Sequence, residues 1–214
     1  MNEIENQLLS ISDAIKKVKE TAKAKFDESV EVHARLGIDP KKSNQQIRGV
    51  AEFPHGTGKS VKIAVFTTTK AKEAKDSGAD LVGGEELVEK VKTTGKMGAD
   101  VAIATPEMMP RLAGIAKILG PKGLMPNPKS GTVTDKVAGV IESLKKGRAD
   151  FKSDNSGNVH QVIGKVSFEE AKLEENFKSF IEALRKSKPE AVKGKFLKSV
   201  SVCSTMGKAM KVNL

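Results

Sequence analysis

The stretch Lys195–Gly207, K-F-L-K-S-V-S-V-C-S-T-M-G, sets hydroxyls, one thiol and a small-residue turn in a pattern suited to recognition, with no acid or base placed for catalysis. Phe196, Val200 and Val202 sit among Ser199, Ser201 and Cys203 with the alternation that sends successive strand side chains to opposite sheet faces. One face is then a core face. The other offers hydroxyls and, at Thr205, Met206 and Gly207, the edge of a backbone turn. From Lys193 onward there are five lysines and no carboxylate, so this surface lies in positive potential. A polyanion fits it better than a small substrate does.

The remaining candidates for chemistry fail on spacing. His33, His55 and His160 lie far apart and none has a metal-ligand spacing such as H-x-x-x-H, so no metal is expected and His33 reads as a surface contact on a strand. No Ser-His-Asp or Cys-His arrangement is visible, which argues against an enzyme and against a cofactor. The segment P-H-G-T-G-K-S at Pro54–Ser60 resembles a phosphate loop, but Phe53 stands where the pattern needs its first Gly. A strand-like V-K-I-A-V-F follows where a helix is required. This segment reads as a flexible hinge. The single Cys203 excludes an internal disulfide and fits a reducing compartment, with the thiol as a packing residue.

Composition narrows the partner. Thirty-seven basic residues against 27 acidic ones give a formal charge of +10 and a pI near 9.5, which points to nucleic acid. Aromatic content is only 4%, with eight Phe and neither Trp nor Tyr, so contact through backbone and shape is expected in place of base stacking. No apolar run approaches the roughly 18 residues of a membrane helix, and the start M-N-E-I-E-N lacks signal-peptide regions. The expected location is the cytoplasm, with no membrane partner.

The elements that must position the recognition surface follow from periodicity. Ile11, Ile15, Val18 and Ala22 share one face of a helix expected to begin near Ser12 and Asp13, with Ser12 as N-cap. Val30, Val32, Ala34 and Leu36 alternate with Glu31, His33 and Arg35 in a half-exposed strand, and residues 47–53 form another. From residue 61 to 148 short apolar strands at 61–66, 80–82 and 101–104 alternate with helices beginning near Thr69, Gly84 and Pro106. That is the pattern of a Rossmann-like three-layer unit, without the G-x-G-x-x-G of a dinucleotide site. Residues 117–134 carry three Pro, three Gly and three Lys and read as a rigid, basic, exposed loop. A helix through Ala138, Ile141 and Leu144 ends at Gly147. A hairpin with Ser156 and Gly157 at its tip comes next, and then a long helix capped by Ser167 with Glu170 in the capping-box position. Its stripe is Leu173, Phe177, Phe180, Ile181 and Leu184. Two last strands, near 196–203 and 209–212, close the chain. The fold class is α/β: residues 1–58 and 150–214 make a discontinuous α+β domain, and 59–149 an inserted domain joined through a hinge near residues 58 and 150.

Four segments, F-D-E-S-V-E-V-H-A-R-L-G-I-D-P, V-A-E-F-P-H-G-T-G-K, I-L-G-P-K-G-L-M-P-N-P-K-S-G-T-V and F-L-K-S-V-S-V-C-S-T-M-G, resemble the ribosomal protein L-one family in order, spacing and sequence. The match runs from about residue 13 to the end. The resemblance implies a structural protein of the large ribosomal subunit whose end-to-end domain binds ribosomal RNA at the mobile stalk. It further implies help in releasing deacylated tRNA from the exit site, repression of its own message through a leader that imitates the ribosomal site, and a monomer off the ribosome. Carried onto matching positions, the RNA surface comprises Lys25, Phe26, Ser29 and Glu31 on one side and Ser199, Thr205, Met206 and Gly207 on the other, with His160 and Lys165 in the neighbouring hairpin. Hydroxyls there would reach ribose 2′-OH groups, Gly207 would allow close backbone approach, and lysines would attract phosphates. Two departures stand out: the start lacks the basic leader common in bacterial members, and Cys203 stands where Thr is common. A competing reading takes the middle domain as a small-molecule binder or transferase with the Pro-Gly-Lys loop as an anion clamp.

Overall fold

Ser10, not Ser12, starts the first helix, because the cap falls just before the apolar stripe begins at Ile11. The Ser10 hydroxyl accepts the Asp13 N–H at 3.2 Å and opens α1 (Ile11–Thr21), while Ser12 sits inside the first turn and bonds Glu174 at 3.2 Å. Ala14, Ile15 and Val18 are its buried face. The computed structural model describes residues 8–213, so the M-N-E-I-E-N start lies outside the described residues. In β1 (Ser29–Leu36) Val30, Val32, Ala34 and Leu36 are buried and the residues between them are not. After β2 (Arg48–Glu52) the chain leaves one compact unit, Met1–Gly58 with Lys146–Leu214, and enters a second, Lys59–Lys145.

The second unit is built on strands that are buried on both faces. All four residues of β3 (Ile63–Phe66) are buried. Ile63 and Val65 join one apolar cluster, Ala64 and Phe66 another. Next come α2 (Ala71–Asp76), β4 (Leu81–Gly83), α3 (Glu85–Thr94) and β5 (Val101–Ala104), giving a parallel sheet in the order β4-β3-β5. Parallel neighbours need a crossover, and the helices supply it while covering the apolar faces. The single helix expected from Pro106 is instead broken into short turns that include α4 (Met109–Leu112) and α5 (Ala116–Leu119). Pro110 has no N–H to bond the preceding turn, and Gly114 weakens the next.

The Pro-Gly-Lys loop is less exposed than expected. Pro126 and Thr132 are buried, the Thr132 hydroxyl accepts the Asn127 N–H at 2.8 Å, and Val133 bridges in parallel to Ala104. Then α6 (Val137–Lys146) buries Val137, Ile141 and Leu144 and ends at Gly147, whose φ of 113° favours glycine.

Back in the first unit, β6 (Arg148–Lys152) and β7 (Asn158–Lys165) do not form the expected hairpin. β6 pairs with β2 in a two-stranded sheet and β7 pairs with β1. Ser153 exchanges bonds with Ile47 at 2.9 and 3.1 Å, which draws β6 towards β2, and the two arms meet through a bridge between Ser153 and Val159. Asp154 closes the intervening turn by accepting the N–H groups of Ser156 and Asn158 at 2.8 and 2.7 Å. In α7 (Glu170–Lys186) the expected stripe of Leu173, Phe177, Phe180, Ile181 and Leu184 is buried. Its N-cap is Glu169, whose side chain makes no capping bond; Ser167 is drawn away to Asp27, to which its hydroxyl donates at 2.9 Å. With β8 (Leu197–Ser204) and β9 (Met210–Val212) the chain completes an antiparallel sheet in the order β7-β1-β8-β9. α1 and α7 pack on one face of it. The opposite face is polar.

Candidate nucleic-acid interface

Strand register decides which polar side chains meet on that face. Two bulges adjust it. Val30 faces Gly164 while Glu31 faces Val162, so Ile163 is an extra residue in β7, and the shift sets Lys165 opposite Ser29. Gly164 fits tightly there, since a Cβ would come within 2.6 Å of the Leu173 side chain and force it to move. In β8, Arg35 faces Ser199 and Leu36 faces Leu197, which leaves Lys198 as the extra, exposed residue.

Seven of the ten expected RNA-binding residues gather at one end of the sheet: Lys25, Phe26, Ser29, Lys165, Thr205, Met206 and Gly207. Phe26 is 57% exposed and Met206 74%, which is unusual for side chains of their size and leaves apolar contact area for a partner. Lys165 Nζ donates to the Ser29 hydroxyl and to the Asp27 carbonyl, both at 3.2 Å. The Thr205 hydroxyl is engaged internally: it accepts the Ser29 N–H at 3.0 Å and donates to the Ser29 carbonyl at 3.3 Å, locking the turn onto β1. Gly207 answers an internal demand as well, for a Cβ would fall 2.3 Å from the buried Ser204 hydroxyl.

Glu31 and His160 lie farther along the face, and Ser199 lies at its other end. Ser199 faces Arg35, six residues along β1 from Ser29, or about 20 Å at the usual strand rise. The ten residues therefore form a main patch with outlying members.

Between the two ends runs a polar chain that distance in sequence concealed. His33 faces His160 across the β1–β7 pair, with Nδ1 atoms 2.7 Å apart, and His33 Nε2 lies 3.1 Å from Cys203 Sγ. His160 Nε2 is 3.4 Å from the Asp154 carboxylate. The Asn158 N–H first, against the desolvation that opposes it, lowers the Asp154 carboxyl to about 2, so it acts as an acceptor. Burial and then Glu31 push the Cys203 thiol up, so it keeps its proton. One tautomer choice lets the bonds run one way, from Cys203 S–H through His33 and His160 to Asp154. Among the described residues no group of three or more His, Cys, Asp or Glu side chains is arranged to hold a metal ion.

Glu28 gave no signal in the sequence, where F-D-E-S reads as an ordinary charged strand entrance. Its side chain is 2% exposed. One carboxylate oxygen accepts the Ala24 N–H at 3.1 Å and the other the Met206 N–H at 3.0 Å, while its carbonyl accepts the Val166 N–H at 2.9 Å. The Met206 N–H, then the Ser204 side chain, then the Ala24 N–H hold this carboxyl below its ordinary value, outweighing desolvation. The Ser204 hydroxyl is buried and has no partner within strict hydrogen-bonding geometry.

The Pro54–Ser60 segment is not a phosphate cradle. His55 Nε2 lies 2.6 Å from Glu175, and the buried Asn176 amide donates to the carbonyls of Gly56 and Ile163 at 2.9 and 2.7 Å, tying the loop to β7. Among the described residues no helix is long and apolar enough to cross a membrane.

The chain matches the model of the ribosomal protein L1p/L10e family over residues 18–208. It is 50% identical over 207 residues to the large ribosomal subunit protein uL1 of Mycoplasma capricolum, covering 97% of this chain and 92% of that protein. The proteins of the same name from Mycoplasma mycoides and Mesoplasma florum are each 49% identical, over 97% of this chain and 92% of their own lengths. A family match that spans the polar sheet face as well as the parallel sheet makes this chain a member of the ribosomal protein L1p/L10e family.

Proposed function

We propose that this protein is a structural constituent of the large ribosomal subunit that binds large-subunit ribosomal RNA at the mobile stalk through the Met206 end of its antiparallel sheet. The observation that carries this reading is the 50% identity, over 97% of the chain, to a protein named as a large ribosomal subunit component. The geometry supports it: exposed Phe26 and Met206 flank a turn whose backbone is held in place, with Lys25 and Lys165 beside them. Lysines supply phosphate attraction, and the braced turn supplies shape. The work of such a surface is recognition, not catalysis, and the site of action is the cytoplasmic ribosome.

Two finer roles belong to the same proposal. The protein moves with the stalk as deacylated tRNA leaves the exit site, and it represses its own message by binding a leader that imitates the ribosomal site. Binding of the full chain to stalk RNA is to be compared with an unrelated duplex of equal length across a salt series. Tighter stalk binding that survives moderate salt is expected. Equal and equally salt-steep binding to both RNAs would reduce the reading to non-specific charge. Leader RNA that fails to compete with stalk RNA would remove the repression role alone.

A further inference from the structure

We infer that Glu28 is a positioning residue for RNA recognition, setting the two walls of the patch in register by clamping Ala24 and Met206. The inference rests on the RNA-binding reading above. Glu28 lies where three segments converge: the approach to β1 that carries Lys25 and Phe26, the exit of β7 at Val166, and the turn that carries Thr205, Met206 and Gly207. Each carboxylate oxygen takes one backbone N–H, one from each wall, so the spacing of the walls is the span of a single carboxylate. Being 2% exposed, the side chain is shut off from any partner and touches no RNA itself.

The sign of its charge makes the inference testable. A negative charge next to a polyanion site weakens binding by simple electrostatics, so its removal from a passive position raises affinity for every RNA. A clamp predicts the reverse. In Glu28→Gln the amide oxygen accepts only one of the two N–H groups, and the amide nitrogen opposes the other. Glu28→Asp keeps the charge but is one methylene too short to reach both walls.

The experiment measures stalk RNA and unrelated duplex binding for the wild-type chain, Glu28→Gln and Glu28→Asp, together with hydrogen exchange at the Ala24 and Met206 amides. The expected result is a loss of about tenfold or more in stalk RNA affinity for both variants. Duplex binding should be unchanged or slightly tighter, and exchange at one or both amides faster. Stalk affinity that stays level or rises in Glu28→Gln, or that Glu28→Asp restores, would overturn the inference. Failure of the RNA-binding reading itself shows separately, as a wild-type chain that does not prefer stalk RNA. If Glu28→Gln does not fold, Glu28→Asp carries the test.

Discussion

The two main sheets of this protein solve the burial problem in opposite ways. In the parallel β4-β3-β5 sheet, β3 sends Ile63 and Val65 into one core and Ala64 and Phe66 into the other, so neither face of that strand is left for a partner. In the antiparallel β7-β1-β8-β9 sheet, β1 buries Val30, Val32, Ala34 and Leu36 and leaves Ser29, Glu31, His33 and Arg35 on a polar face. A strand buried on both sides can only be scaffold, whereas a strand buried on one side carries a surface whose side chains are fixed by the core beneath. Recognition is therefore expected on the antiparallel sheet.

The strongest way to break that contrast is to damage each core in turn. Phe66→Ala and Phe177→Ala both remove a fully buried ring, and each should cost about 3–5 kcal/mol in its own unit by calorimetry. Stalk RNA affinity at low temperature should change by no more than about twofold for Phe66→Ala. It should fall clearly for Phe177→Ala, which packs beneath the polar face; equal losses for the two would show that recognition is not confined to one sheet.

Smaller changes sharpen the picture within the polar face. Met206→Ala should weaken stalk RNA binding by about 1–3 kcal/mol with an unchanged melting temperature, because the side chain is 74% exposed and supports no core. Lys165→Ala should act differently, lowering affinity for all RNAs and reducing the slope of log affinity against log salt by about 1.

The smallest effect concerns His33. Burial first, and then His160, hold its ring below the ordinary value of 6.5, with Glu31 opposing. The folded state therefore disfavours the proton, the unfolded chain binds more protons as pH drops below that value, and stability falls on acidification. His33→Gln should flatten this decline in melting temperature between about pH 7 and 5. An unaltered slope would mean that burial of the His33 ring does not make it resist protonation.

Residue spacing made much of the fold legible. The stripe of α7 and the alternation of β1 follow from local periodicity, the short apolar run near 61–66 marked a strand of a helix-covered sheet, and the family followed from four segments read in order. Caps and pairings were harder. Ser12 and Ser167 each had a plausible capping position, yet Ser10 sat nearer the stripe and Ser167 found a better partner in Asp27. The turn at Asp154 was visible, but the exchange of bonds between Ser153 and Ile47, which separates β6 from β7, was not.

By itself, then, the sequence determined most of the elements, the charge and the family, because each depends on nearby residues or on a string read in order. Tertiary structure alone decided that His33 meets His160, that a bulge sets Lys165 beside Ser29, and that Glu28 clamps Met206 across a separation of 178 positions. Such contacts depend on strand order and on a one-residue change of register, and a carboxylate that closes a turn looks in sequence like any other charge on a surface.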